Sequence, residues 1–386
     1  MANVHFLTGF PGFLGRQLLL RLVERDRKAR IWVLVQPRFV KAAKRELATY
    51  PQAAASRIRV LIGDVVDMHL GLAGDEYRRL AGEVKRIYHL AALSSLTSDR
   101  RQLEQTNVQG TAHVLELARD APHLVRLGHV STVQVAGDRR GVIEEDELEE
   151  GQRFRNAYEE SKFRGELLAR RAMEELPISV FRPSTVIGDS RTGSPGPKGG
   201  PYNLTLQLVT SALRSTLSFP GDGSFPLNVV PSDFVVDAIL ELSHKPEAAG
   251  KTFHLVDPNP MAARKVYERI AGRAGRRMPK PGPAAMASAA LLRLPVLDRL
   301  LGRGSRSYDH LEQLAIYGCR NTLELLDDSR IRCPPLHSYL DRLVGYVEEK
   351  VAEQALIPRP EAPIDDPLAP LEPVGEHLSG ADHALL

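Results

Sequence analysis

An α/β architecture, a doubly wound parallel sheet with a smaller C-terminal lobe, is predicted by three observations on the 386-residue chain. Short apolar runs alternate with helix-period segments across residues 3–183. A glycine-rich turn joins the first strand to the first helix, and the alternation breaks after Pro183. Strict alternation of strand and helix implies a parallel sheet covered on both faces, with binding sites at the C-terminal strand ends.

In order, NVHFLTG (3–9), RIWVLV (30–35), IRVLIGD (58–64), RIYHLAA (86–92), LVRLGHVST (124–132) and PISVFRP (177–183) read as buried strands. Between them FLGRQLLLRLVERD, VKAAKRELATY, DEYRRLAGEV, TNVQGTAHVLELARD and FRNAYEESKFRGE with its continuation read as helices. The Gly/Pro-rich stretch 188–201 is a loop, followed by a helix near 202–215, an extended FPLNVVP, a helix SDFVVDAILELSH and a strand KTFHLVD. These divide the chain into a dinucleotide-binding core (1–183) and a mainly substrate-binding lobe (184–356), with 228–275 partly returning to the core. Residues 283–302 form a broken Ala/Leu-rich helical stretch, and HSYLDRLVGYVEEKVAEQAL is a final amphipathic helix. The Pro-rich, acidic tail 357–386 cannot bury enough apolar area to offset its ordering entropy and is expected to be disordered.

Composition bounds the function. A hydrophobic fraction of 43% and a charged fraction of 26% are those of a soluble globular protein. The net charge of +3 gives no case for a nucleic-acid partner. Cys319 and Cys333 have no metal-like spacing, and so few cysteines fit a reducing compartment. The N-terminus runs straight into a strand pattern without a leader, and no apolar run approaches the ~20 residues of a membrane span. A cytoplasmic enzyme without a metal is the expectation.

The stretch Thr8, Gly9, Phe10, Pro11, Gly12, Phe13, Leu14 and Gly15 lies where a strand turns into a helix. Gly9 permits the tight turn, Gly12 lets the backbone approach a pyrophosphate, and Gly15 lets helix pack on strand. The helix N-terminus then offers free N–H groups and partial positive charge to the anion, as in a Rossmann-type fold. An Asp or Glu about 20 residues further on would bind the ribose hydroxyls of NAD. Here the second strand ends Gln36, Pro37, Arg38, and Arg38 could pair with a 2′-phosphate; NADP(H) is therefore the expected cofactor. Lys44 and Arg45 read as solvated charges.

With GDV at 63–65, HLAA at 89–92, NVQGT at 107–111, VST at 130–132 and Tyr158-x-x-x-Lys162 in order, the chain resembles the extended short-chain dehydrogenase/reductases over residues 3–275. HVSTVQVAGDRRGVIEED, FRNAYEESKFRGELL, FRPSTVIGDSRTG and RCPPLHSYLDRLVGYV are similar to their thioester-reductase and fatty acyl-CoA reductase branch, with Gln134 where many relatives carry an aromatic or small residue. The resemblance implies that Asp64 and Val65 hold the adenine and that Ala91 and Ala92 line the cofactor's central path. It places Ser131, Lys162, Pro183, Ser184, Thr185 and Val186 beside the cofactor, Asn107 in a structural or relay role, and Thr132, Tyr158 and Lys162 in catalysis. No adenylation or carrier module is expected in the chain, so the activated acyl group, small or carrier-bound, is expected to arrive from outside.

Hydride addition to a carbonyl builds negative charge on oxygen, so a positioned donor is needed. A free tyrosine titrates near pH ~10, and a nearby lysine ammonium is expected to lower that value. The spacing of four residues on a helix supplies the proximity. Collapse of the adduct of an acyl thioester expels a thiolate, whose acid has a pKa of ~8.5, so no covalent nucleophile is required. Neither cysteine is expected near the motifs, and Cys333 is followed by two prolines. The competing readings keep the same machinery for a ketone, aldehyde, sterol-like or nucleotide-sugar substrate, or make the chain a non-catalytic NADP-binding sensor.

Several other features have plainer readings. Glu160 with Arg164 and Glu166 with Arg170 are expected as i,i+4 pairs on the helix's outer face, and Gly165 as a close packing contact. His89 reads as a packed core histidine. The acids at 144–150 read as a solvated loop, and the bases of RKVYERIAGRAGRRMPK as a solvated face. The stretch 284–301, with Arg293, Arg299 and Arg303, offers an acyl tunnel or a peripheral membrane surface, core packing being preferred.

Overall fold

Alternate residues of the first strand go to opposite layers, and the rest of the fold follows from that division. The computed structural model describes residues 3–94, 99–194, 223–273 and 314–356. Its strands are β1 Val4–Thr8, β2 Arg30–Val35, β3 Ile58–Ile62, β4 Val84–His89, β5 Arg126–Val130, β6 Gly141–Ile143, β7 Ile178–Pro183, β8 Thr185–Val186, β9 Val229–Val230, β10 Lys251–Leu255 and β11 Ala315–Tyr317. Its helices are α1 Phe13–Arg25, α2 Val40–Leu47, α3 Gln52–Ala55, α4 Gly74–Glu83, α5 Arg100–Glu104, α6 Gly110–Arg119, α7 Ala157–Arg171, α8 Ser232–Leu242, α9 Ala263–Arg273, α10 Arg320–Leu326 and α11 Leu340–Leu356.

Seven parallel strands form the main sheet in the order β10-β7-β5-β4-β1-β2-β3. The chain builds outward from β1 to β3, then returns across β1 to add β4 and the rest. The crevice between β1 and β4 is the point where such sheets bind ligands. Leu7, Val33 and Phe181 face one layer with Leu18 and Leu22 of α1 and Ile239 of α8. Phe6, Leu34 and Val180 face the other with Leu80 of α4, Val114 of α6 and Ala169 of α7. Burial on both faces of the central strands explains why these read as largely apolar runs; β3, at the edge, is mostly half-buried.

All six strands expected in the first 183 residues are present, and KTFHLVD returns to the sheet as β10, paired with β7. The two small parallel pairs, β6 with β11 and β8 with β9, were not legible. Each strand has two or three residues, too few to show a period, and each partner is distant in sequence. The helix expected near 202–215, the stretch 283–302 and the tail from 357 lie outside the described residues. Met1–Glu348 form one compact unit and Glu349–Leu386 a second, of which the described part is the end of α11. Among the described residues no helix is long and apolar enough to cross a membrane.

The helix α7 starts on a reciprocal cap. Asn156 accepts from the Glu159 N–H at 2.9 Å, and the Glu159 carboxylate accepts from the Arg155 N–H at 3.0 Å. The orphan donors of the first turn are thereby partly satisfied, which fixes the start of the helix one residue before Tyr158.

Candidate active site

The three glycines enclose one another's backbone. Gly9 has φ +89°, and a Cβ there would stand 2.7 Å from the Leu90 carbonyl carbon in the turn after β4. A Cβ on Gly12 or Gly15 would stand 2.7 or 2.5 Å from the Gly9 carbonyl oxygen. Gly12 caps α1 without a side chain, and no acid occupies the first turn. Phe10 is buried before a cis peptide to Pro11, Gly12 is exposed, and Phe13 and Leu14 are half-buried in the first turn of α1.

At the end of β2, Gln36 bridges two candidate residues. It donates to Asp64 at 2.7 Å and accepts from Arg38 Nε at 2.8 Å, while Arg38 stacks over Phe39. Sequence reasoning passed over Gln36 as a mere missing acid; here it ties the base to the carboxylate. Val65 is buried, closed over by Gly110, and its carbonyl accepts from His113 at 2.8 Å. Lys44 and Arg45 are exposed, as expected.

A chain of hydrogen bonds anchors the loop after β4. The Ala91 N–H donates to Thr8 Oγ1 (3.1 Å), Thr8 meets His89 Nδ1 (2.8 Å), His89 Nε2 meets Thr111 Oγ1 (3.2 Å), and Thr111 donates to the Asn107 carbonyl (2.8 Å). One proton per link is consistent throughout if His89 carries its hydrogen on Nε2. Burial pushes that imidazole down to about 3, so it stays neutral, a packed core histidine. Ala91 is half-buried and Ala92 exposed beside it. The Asn107 side chain is saturated by Leu93 N–H (2.8 Å), Leu93 carbonyl (3.0 Å) and Ser161 (2.9 Å), a structural clamp. Gly165 backs directly onto it: a Cβ there would lie 2.3 Å from the Asn107 carbonyl, the close contact expected.

The end of β5 and the helix α7 bring the catalytic candidates together. Thr132 is buried, accepts from the Gln134 N–H at 3.2 Å and hydrogen-bonds the Tyr158 phenol. Lys162 is buried and donates to the Val130 carbonyl at 2.8 Å. One expectation changes here. Burial first, then Glu159, push the Tyr158 phenol up to about 12, against a smaller opposing effect of Thr132. Burial also pulls Lys162 down to about 8, opposed by Glu166.

The expected surface pairs are likewise replaced. Glu160 pairs with Arg100 at 2.8 Å and Arg164 with Glu104 at 2.7 Å, both reaching off the helix. Glu166 does not meet Arg170; it is fully buried against Arg182 at 2.6 Å and accepts from the Ser131 hydroxyl. Arg170 instead donates to the Asp146 carbonyl at 2.6 Å. Ser131 thus donates its hydroxyl to Glu166. Glu166 lies four residues beyond Lys162, a spacing the sequence did display.

Pro183 ends β7, Ser184 N–H donates to the Leu255 carbonyl at 3.2 Å, and Thr185 and Val186 form β8. The Ser184 hydroxyl is buried without a partner among the described residues. Three observations therefore fit a nicotinamide dinucleotide: a cradle that any Cβ would fill, a helix start free of acid, and an orphaned hydroxyl in the segment after β7. Cys319 corrects the sequence reading, since it shares an apolar cluster with Val133 and Ala136, the residues that follow Thr132. Burial holds its thiol up at about 11, and Cys333 is raised further, so neither is a ready thiolate.

A family model described as male sterility protein matches residues 7–239. The chain is 28% identical over 285 residues to the glycine betaine reductase ATRR of Emericella nidulans, covering 70% of this chain and 22% of that one. It is 31% identical over 286 residues to a carboxylic acid reductase of Segniliparus rugosus, covering 66% of this chain and 24% of that one. The chain thus spans under a quarter of the length of these relatives. Among solved structures it is similar to the terminal R domain from the myxalamid PKS-NRPS biosynthetic pathway, with a TM-score of 0.77, 28% identity, and coverage of 91% and 92% of the two chains. The UDP-glucuronic acid 4-epimerase from Bacillus cereus, at 18% identity and a TM-score of 0.63, shares the fold alone. With a match that spans more than half its length, the chain belongs to the male sterility protein family, in the thioester-reductase branch of the extended short-chain dehydrogenase/reductases, a group of nicotinamide-dependent oxidoreductases.

Proposed function

We propose that the protein reduces the carbonyl of an acyl thioester, presented on coenzyme A or a carrier protein, to an aldehyde or alcohol with NADPH. The observation that carries this reading is the hydrogen bond between Tyr158 and Thr132, just past the C-terminal end of β5 in the same parallel sheet whose β1 runs into the glycine turn, with the Cys319 thiol held protonated by burial. Likeness over nearly the whole chain to a terminal R domain supports it.

NADPH, when bound, supplies the hydride. Gly9, Gly12 and Gly15 with the start of α1 would hold its pyrophosphate, Arg38 its 2′-phosphate, Asp64 and Val65 its adenine, and Ser184 with Lys162 its nicotinamide end. Thr132 and Tyr158 would orient the substrate carbonyl and donate to its oxygen as charge develops there. A phenol held at about 12 stays protonated at neutral pH, which is the form a reduction requires of its acid. The oxyanion then re-forms the carbonyl and expels the thiolate, a good leaving group with a conjugate acid near pH ~8.5. No acyl group needs to pass through the protein.

The test offers acyl-CoA, acyl-pantetheine, aldehydes, ketones and nucleotide sugars to the pure protein with NADPH or NADH. NADPH oxidation on the thioesters with thiol release is expected; oxidation on ketones or nucleotide sugars alone overturns the reading. Within it, Arg38→Ser is expected to raise KM for NADPH by roughly 10-fold or more, the worth of a lost charge-assisted hydrogen bond, and to leave KM for NADH nearly unchanged. Equal effects on both cofactors would remove Arg38 from phosphate recognition.

A further inference from the structure

Three consecutive residues leaving β5 are each tied to a different turn of α7. Thr132 bonds Tyr158, the Val130 carbonyl accepts from Lys162 at 2.8 Å, and the Ser131 hydroxyl donates to Glu166. Tyr158, Lys162 and Glu166 are spaced by four, so they form one stripe on the helix. The third rung reaches further than the other two. Glu166 accepts from Arg182 Nη2 at 2.6 Å and Nε at 2.9 Å, and Arg182 immediately precedes Pro183 and Ser184. Arg182 also donates to the Glu147 carbonyl at 2.8 Å and to His254 at 3.1 Å. Glu166 is 0% and Arg182 1% exposed.

A buried ion pair is weak evidence for stability, because apolar residues of similar volume often serve as well. Such residues could not place a negative charge one turn from Lys162. The titratable groups facing that ammonium are His89 of β4, His129 of β5, Tyr158 and Glu166 of its own helix, with Arg182 of β7 behind Glu166. His89 and His129 are kept neutral by burial and Tyr158 is a neutral phenol, leaving Glu166 as the anion.

We propose that Glu166 is a positioning residue of the reductase site: its carboxylate is the counter-charge of Lys162 and, through Ser131 and Arg182, sets the Thr132 and Ser184 segments against the catalytic helix. This rests on the site being a reductase, whatever its carbonyl substrate.

The test compares wild type, Glu166→Gln, Glu166→Asp and Ser131→Ala in pH–rate profiles with an acyl thioester and, separately, a simple aldehyde. NADPH affinity is followed by fluorescence between about pH 6 and 10 as a readout free of turnover. Glu166→Gln is expected to lower kcat by about tenfold or more with little change in KM. Its alkaline limb, in rate and in NADPH affinity, is expected to move to lower pH by roughly one unit, because Lys162 loses the charge that favours its ammonium form. Glu166→Asp should restore the limb and only part of kcat, and Ser131→Ala should lower kcat without moving the limb. A limb unmoved by Glu166→Gln overturns the proposal, whatever happens to kcat. If Glu166→Gln does not fold, as circular dichroism would report, Ser131→Ala with wild-type kcat and NADPH affinity overturns it instead. A wild type active on the aldehyde and inert on the thioester sinks the thioester reading and leaves the Glu166 comparison intact.

Discussion

Replacing Tyr158 by Phe is expected to cut turnover by about 10²–10⁴-fold, the usual worth of a positioned general acid, while leaving NADPH affinity close to that of wild type. The substitution removes one oxygen from a half-buried ring and leaves the α7 cap at Asn156 and Glu159 in place. Thr132 loses its phenol partner and keeps the Gln134 N–H. Steady-state rates together with fluorescence titration of NADPH separate the two quantities. Turnover surviving at more than a tenth of wild type would assign the acid elsewhere. Loss of NADPH binding in parallel would make the ring a packing element.

Arg182→Met is expected to destabilise the fold by about 3–5 kcal/mol, as when one partner of a buried ion pair is removed. The cost arises because Glu166 is left charged in a fully buried place, and because the Glu147 carbonyl and His254 lose a donor. The double change Glu166→Leu with Arg182→Met should recover much of that stability in denaturant melts, since no charge is then stranded. It should not recover activity, because the counter-charge of Lys162 is still missing. A single variant within 1 kcal/mol of wild type, on the scale of exposed pairs, would contradict the burial of this pair.

The legible part of the molecule was the part that repeats. β1, β2, β5 and β7 are buried along nearly their whole length and β4 along most of it, so they show as largely apolar runs between amphipathic helices, while β3 at the sheet edge is mostly half-buried. The glycine turn was legible because three positions lack room for a Cβ, which no other residue can satisfy. Tyr158, Lys162 and Thr132 were readable as a set and do lie together. What the sequence hid was partnership across long separations. Glu166 was assigned to Arg170 because helical spacing makes that pair, whereas the fold brings Arg182 to it from the adjoining strand. Cys319 lies far from Val133 in sequence and joins the same apolar cluster, to which β6 and β11 both contribute. The direction of the Tyr158 shift depended first on how deeply the fold buries the phenol, and no spacing rule carries that information.

The most direct test is a single turnover with an acyl thioester and NADPH carrying deuterium on the transferred position, with thiol, product and protein-bound acyl all measured. The account predicts that thiol release requires NADPH, matches the first cofactor oxidised, and leaves deuterium on the former carbonyl carbon with no acyl group on the denatured protein. Thiol release without NADPH, or an acyl group found on Cys319 or Cys333, would contradict it.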